Sequence, residues 1–268
     1  MRAVDCADLY RDGRHYDSQH RDFADDIPFY LRQIEKYGEP ILELACGTGR
    51  IAIPIAEKGY RVTGLDVSGP MLSQARRKAA AKGVNVEWVE ADCRDFKLNR
   101  AFNFVFFPFN SISHLQDLAS LEACFSCVKA HLTPQGRFAI DMFNPRLDIL
   151  MRDPTRRYPV AEYPDPDGRG TVTITENNVY DRASQINRIK CYYDVSDGKE
   201  AFVVENNMRI FFPQELDALL SYNGFTVDAK FGDYDETPFE SSSPKQLVVC
   251  RPTHHPVNPA KNRDRNHV

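Results

Sequence analysis

A chain of 268 residues with 42% hydrophobic and 27% charged side chains has the make-up of an ordinary globule, long enough for one large domain or for a domain with an elaborated insertion. A formal net charge of −4 with no internal basic block argues against nucleic acid as a partner, and no apolar run approaches the ~20 residues of a membrane span. The opening "MRAVDCADLYRDGRHYD" is too polar for a signal peptide, and seven scattered cysteines, an odd number in a large chain, fit a reducing cytoplasm better than a secreted disulfide framework.

Apolar residues Phe23, Ile27, Tyr30, Leu31 and Ile34 recur at helical spacing, predicting a helix over about 18–37 that Gly38 and Pro40 end. A buried-type strand over 41–45 follows, then a glycine turn, a helix over about 49–58 and a second strand, "YRVTGLD". "SGPMLSQARRKAAAKG" reads as a helix with Ser68 as its N-cap and Gly83 as its stop. "VNVEWVEAD" alternates as a third strand, and "FNFVFFPFN" is a fourth whose length Pro108 limits. A helix over "SHLQDLASLEACFSCVKAHL" ends at Pro134 and Gly136, and "RFAIDMFNP" is a fifth strand. The C-x-x-C of Cys124 and Cys127 lies within that helical pattern without a second pair, which fits buried small side chains better than a metal or redox site.

Strands alternating with helices at this spacing predict an α/β fold with a doubly wound, mostly parallel sheet covered on both faces. After Pro145 the texture changes. "ILMRDPTRRYPVAEYPDPDGRG" reads as loop, and three runs separated by "DRAS" and "DGKE" read as a three-stranded antiparallel sheet. "PQELDALLSYNGF" is a last helix, and "TVDAKFGDY" and "KQLVVCRP" are the last two strands. The resulting division is a core over 1–150 with an N-terminal lid segment, an antiparallel insert over 151–211, the rest of the core over 212–252, and a disordered tail over 253–268 that holds His254 and His255.

The stretch "ILELACGTGRIAIPIAEKGYRVTGLD" carries the chemistry. "GTGRIA" satisfies the dinucleotide fingerprint, with Asp66 19 residues beyond Gly47, so a nicotinamide or flavin oxidoreductase is one reading. Glu43, two residues before the loop, opposes it: a carboxylate beside a pyrophosphate gains nothing, whereas a ligand with a cationic centre and an ammonium group gains from it. A P-loop is excluded because Arg50 follows Gly49 where a Lys-Ser/Thr pair is needed.

These residues resemble the class I S-adenosylmethionine-dependent methyltransferases. "ELACGTG" is similar to that family's first motif, "VTGLDVSGPMLSQAR" to the second and "EADCRDF" to the third. The likeness spans about 23–144 and the elements after Pro213, and it implies a seven-stranded Rossmann-like sheet with an antiparallel final strand. It also implies S-adenosylmethionine as cofactor. The backbone at Ala45, Gly47 and Gly49 would approach the methionine part, and Glu43 would face its ammonium. Asp66 would take the ribose hydroxyls, and Met71 would pack on adenine or ribose. Asp92 and the Cys93 amide would read the adenine edge, and the Phe107 carbonyl would lie near the sulfonium.

Methyl transfer needs an aligned nucleophile and exclusion of water, and sometimes a base. His114, after the fourth strand, is the base candidate because histidine titrates nearest neutrality. Asn110, Ser111 and Asn144 are candidate acceptor contacts. "YRDGRHYD" is similar to the N-terminal tyrosine segment that closes over the cofactor in small-molecule members, which puts Tyr16 and then Tyr10 at the site. The insert resembles the extra sheet of amino-sugar and glycine N-methyltransferases, which roofs the acceptor or forms a homodimer contact. Tyr180, Tyr192, Tyr193 and Phe211 would line it, and Arg209 would pair with an acceptor carboxylate. The expected activity is N- or O-methylation of a small molecule, with no metal. A non-catalytic S-adenosylmethionine-binding protein is the other alternative.

Overall fold

A computed structural model describes residues 8–196, 198 and 202–253. In chain order the core opens with α1 (Gly13–Gln19), α2 (Ile27–Tyr37), β1 (Ile41–Leu44), α3 (Ala52–Glu57), β2 (Val62–Asp66), α4 (Gly69–Lys82), β3 (Glu87–Glu90) and β4 (Phe102–Phe107). A 3-10 turn (Ser111–His114), α5 (Leu118–His131), β5 (Leu132–Phe143) and α6 (Leu147–Leu150) follow. The insert holds β6 (Tyr158–Pro164), β7 (Thr171–Asp181), β8 (Ile186–Val195), β9 (Phe202–Glu205) and β10 (Met208–Arg209), and α7 (Pro213–Tyr222), β11 (Phe225–Phe231) and β12 (Lys245–Pro252) return to the core.

The seven-stranded sheet has the order β11-β12-β5-β4-β1-β2-β3. Pairs among β1 to β5 are parallel, while β12 runs antiparallel to both neighbours. Strand order reverses between β1 and β4, so their C-terminal ends open the crevice in which ligands of such sheets sit. Side-chain alternation along β1 divides the core. Leu42 and Leu44 join the cluster of α5 and α7 (Leu121, Phe125, Leu216, Leu220) on one face. Ile41 joins the cluster of α2 and α3 (Phe29, Ile34, Ala52, Ile55) on the other. Glu43 shares the Ile41 face, so an acid points where the pattern asks for a hydrophobe.

Three expectations are corrected. The helix expected over 18–37 is two, because α1 ends at Gln19 and the polar run around Asp22, Asp25 and Asp26 offers no continuous apolar face. The stretch expected as loop after Pro145 contains α6 and β6, and β6 pairs with β7 from Tyr158↔Glu176 to Pro164↔Thr171. The last insert run is split into β9 and β10 around Asn206 and Asn207, making a five-stranded sheet. Its inner face buries Tyr163, Val172, Ile174, Ile189, Cys191, Tyr193 and Val204, with Leu9 of the N-terminal segment packed on it.

Cys124 is buried in α5, and the Cys127 thiol donates to the Arg94 carbonyl at 3.3 Å, so this pair serves packing. No helix among the described residues is long and apolar enough to cross a membrane. The tail from His254 lies outside the described residues.

Candidate cofactor and acceptor site

The turn after β1 takes left-handed backbone three times, at Ala45 (φ 52°), Gly47 (φ 54°) and Gly49 (φ 74°). The two glycines answer different needs. A methyl on Gly47 would come 3.3 Å from the Met71 Cε, on the side where the turn meets α4. A methyl on Gly49 would come 2.6 Å from the Trp88 ring and 3.1 Å from Ile53. Packing inside the fold by itself requires a glycine at Gly49.

Asp66, at the end of β2, is buried, and its carboxylate accepts the Gly47 amide at 2.7 Å and the Ser68 amide at 2.8 Å. It thereby ties the turn after β1 to the start of α4, and each oxygen keeps a lone pair for a further donor. Burial pushes its carboxyl up, against the pull of the Ser68, Gly47 and Val67 amides. At the end of β3, Arg94 forks onto Asp92 at 2.9 and 2.6 Å and also gives its amide at 2.9 Å, holding that carboxyl low. Any donor that reaches Asp92 therefore meets a carboxylate shared with a guanidinium. Cys93 is half-buried beside it, and Phe107 is buried at the end of β4.

Glu43 is 2% exposed, and its Oε2 has no hydrogen-bond donor. The nearby Arg50 gives both terminal nitrogens to the two oxygens of Asp26, each at 2.7 Å. The Arg50 guanidinium lies 4.9 Å from the Phe23 ring centre and 4.9 Å from that of Phe109. Tyr16 lies beside the same arginine, and its ring stacks on His20 at 4.3 Å. Tyr16, expected at the site on the closing segment, thus sits against a buried cation.

Beyond β4, Phe109 (φ 53°) and Asn110 (φ 59°) are consecutive left-handed residues, a costly turn that Asp141 holds. The Asp141 carboxylate accepts the Phe109 amide at 3.1 Å, and its main-chain carbonyl accepts the Asn110 amide at 2.9 Å. The Asn110 side chain accepts the Phe143 amide at 2.6 Å, and Asn144 donates to the Ser243 carbonyl at 2.9 Å. Both asparagines thus help to shape the end of β5. Ser111 is half-buried, its amide on the Pro108 carbonyl at 3.1 Å.

His114 meets the Tyr10 hydroxyl through Nε2 at 3.0 Å, with the rings edge to face. Burial lowers its pKa to about 4, so the imidazole is neutral at pH 7 instead of titrating near neutrality as expected. Tyr10 also accepts the Ser68 hydroxyl on its carbonyl at 3.2 Å, which links the cofactor loop to the turn after β4. Arg209, expected to pair with an acceptor carboxylate, is 7% exposed, pairs with Glu215 at 2.7 Å and covers the Phe211 ring. Tyr193 is buried against Phe202, whereas Tyr192, under Arg157, lines a cavity on the insert together with Asn177, Ile189, Glu205 and Asn207.

Asp26, His20, Phe109 and Asp141 were not singled out from sequence. The arginine directly after the glycine turn was the available signal, since a buried arginine requires an acid elsewhere. His15, Asp165 and Asp167 also converge, but Arg14 and Arg169 already bind the two carboxylates.

Residues 41–136, which hold the glycine turn, Asp66, Asp92 and His114, match the family model for a methyltransferase domain. A crystal structure of a S-adenosylmethionine-dependent methyltransferase from Clostridium acetobutylicum has the same fold, with TM-score 0.75, 19% identity, and coverage of 90% of this chain and 97% of that one. The chain is a S-adenosylmethionine-dependent methyltransferase of the Rossmann-like class, and "GTGRIA" belongs to that domain, not to a nicotinamide or flavin fold.

Among curated relatives, the dTDP-3-amino-3,4,6-trideoxy-α-D-glucopyranose N,N-dimethyltransferase of Streptomyces venezuelae is 26% identical over 238 residues, 85% of this chain and 93% of its own. The dTDP-3-amino-3,6-dideoxy-α-D-glucopyranose N,N-dimethyltransferase of Streptomyces fradiae is 34% identical over 134 residues, 50% of each chain.

The residues present fit the cofactor. The orphaned Glu43 oxygen suits an ammonium group, and the Asp66 lone pairs suit vicinal hydroxyls.

Proposed function

We propose that this methyltransferase acts on the amine nitrogen of a small-molecule acceptor, an amino sugar carried on a nucleoside diphosphate. The observation that carries the reading is the Tyr10–His114 hydrogen bond at 3.0 Å, which closes the N-terminal segment over the end of β4 beside the cofactor loop. The two sugar N,N-dimethyltransferases, one of them aligned along most of its length, support the acceptor class.

In this reading the backbone from Ala45 to Gly49, together with Glu43, Asp66 and Met71, holds the cofactor. Asp92, Cys93 and Phe107 border it. When bound, the cofactor supplies a methyl group made electrophilic by its sulfonium. The chain's own work is to orient the amine, exclude water and take a proton. Tyr10, Tyr16, His20, Phe23 and Phe109 form an aromatic wall that removes water from the reacting end. Such rings also favour the positive charge that develops on a methylated nitrogen. His114, neutral at pH 7, accepts the proton through the nitrogen that now meets Tyr10. The antiparallel insert serves as a cover, its inner face resting on the N-terminal segment through Leu9, the His15–Tyr163 contact at 3.0 Å and Ser18 on the Pro164 carbonyl at 2.6 Å.

The test is incubation with S-adenosylmethionine and dTDP-3-amino-3,6-dideoxy-α-D-glucopyranose, read by mass spectrometry, with the 3-hydroxy sugar as control. One or two added methyl groups on the amino sugar alone is the expected result. Methylation of the hydroxyl control, or of neither compound while the cofactor binds, removes the amino-sugar reading. His114→Ala is expected to lower turnover by roughly 10²-fold with little change in cofactor affinity.

A further inference from the structure

At the end of β1, two buried carboxylates compete for one cation. Asp26 is 0% exposed and receives both terminal nitrogens of Arg50, while Glu43, 2% exposed, leaves Oε2 without a donor. The remaining titratable groups that face Glu43 are Asp66 on β2, of the same sign, and Tyr16, Tyr30 and Cys46, which carry no positive charge. The Tyr30 hydroxyl is itself without a partner. Asp26 and Arg50 neutralise each other, so an ionised Glu43 would be an uncompensated charge shut away from water.

We propose that Glu43 is protonated in the ligand-free protein and that seating a ligand ammonium beside the Ala45–Gly49 turn drives that proton into solvent. The exchange balances: a neutral carboxylic acid and an ammonium become a carboxylate–ammonium pair and one released proton. Burial, the largest influence on this group, pushes its carboxyl well above the usual carboxylate range, with Arg50 pulling it back. The proposal rests on the S-adenosylmethionine reading and adds a linkage to it. A site that must lose a proton to bind gains affinity as pH rises, about tenfold per unit below the free protein's Glu43 pKa. Above that pKa the dependence ends.

The test is calorimetric titration of the full chain with S-adenosylhomocysteine, which carries the same ammonium group, at about pH 6.5, where that ammonium is fully protonated. Buffers of different ionisation enthalpy report the protons exchanged. Wild type is expected to release roughly one proton on binding, and Glu43→Gln none. Infrared difference spectra supply a readout that survives loss of affinity in the variant. A protonated-carboxyl stretch is expected in the free wild-type protein, absent in Glu43→Gln and lost from wild type on ligand addition. Binding with buffer-independent heat, or proton release that persists in Glu43→Gln, overturns the proposal and leaves the cofactor assignment intact. Failure of the wild type to bind S-adenosylhomocysteine overturns both.

Discussion

In the turns after β1 and β2, the residues that meet are close in sequence: the Gly47 amide and the Asp66 carboxylate are 19 positions apart, and Ser68 and Asp66 are two. At the acceptor end they are far apart. Tyr10 meets His114 across 104 positions, Gln116 meets Asn207 across 91, and Tyr234 meets Asp141 across 93. The cofactor end is therefore assembled by local backbone geometry, and the acceptor end by the docking of segments whose order in the chain says little about their neighbours. The first can be preserved while the second varies, which suits one reaction to many acceptors.

The contrast is broken most sharply at Asp66. Asp66→Ala is expected to weaken S-adenosylhomocysteine binding by about 3 kcal/mol, a little over 100-fold, because in the proposed reading it removes the ribose acceptor, and it frees the Gly47 and Ser68 amides together. Calorimetry reads this directly, and an unchanged affinity in a folded variant would place the ribose elsewhere. Gly49→Ala is expected to cost about 2 kcal/mol of stability in urea denaturation, through left-handed backbone and the Trp88 contact. Gly47→Ala, with only the flexible Met71 end nearby, should cost about half that in stability and act mainly on cofactor affinity.

On the other side of the comparison, Arg209→Ala is expected to destabilise the protein by about 2 kcal/mol while leaving cofactor affinity unchanged, since it removes the ion pair with Glu215 and uncovers the Phe211 ring. A large rise in acceptor KM without loss of stability would return Arg209 to the acceptor. The last effect is read against pH and concerns His114. Its folded pKa of about 4 lies below the unfolded value near 6.5, so the stability it contributes is full above pH 6.5 and is lost as pH falls toward 4. Melting temperature against pH should flatten in that window for His114→Gln relative to wild type.

The same division explains what could be read from sequence. Period, caps and glycine spacing are local signals, so the parallel strands, the Ser68 cap of α4 and the turn at Ala45 were legible. Legibility fell where a polar residue had two possible partners. Asn110, Asn144 and Arg209 are residue types that bind ligands, but carbonyls, amides and a glutamate from distant segments had already claimed them. Asp141 looked like an alternating strand residue, and nothing local announces that Lys245 and Tyr234 converge on it. The β6 strand was hidden by prolines and charges, which an edge strand tolerates and a central one does not.

The reversed direction of β12 has a practical consequence. Lys245 lies opposite Phe143 at the reactive end of the sheet, and Cys250 lies opposite Phe138, so the chain reaches Thr253 at the far end of the barrier between the two helical layers. A protein anchored to a bead or sensor surface from that side would turn its reactive mouth toward the flowing solution. Anchored through the N-terminal segment, it would be held by the part that carries Tyr10 and its contact with His114.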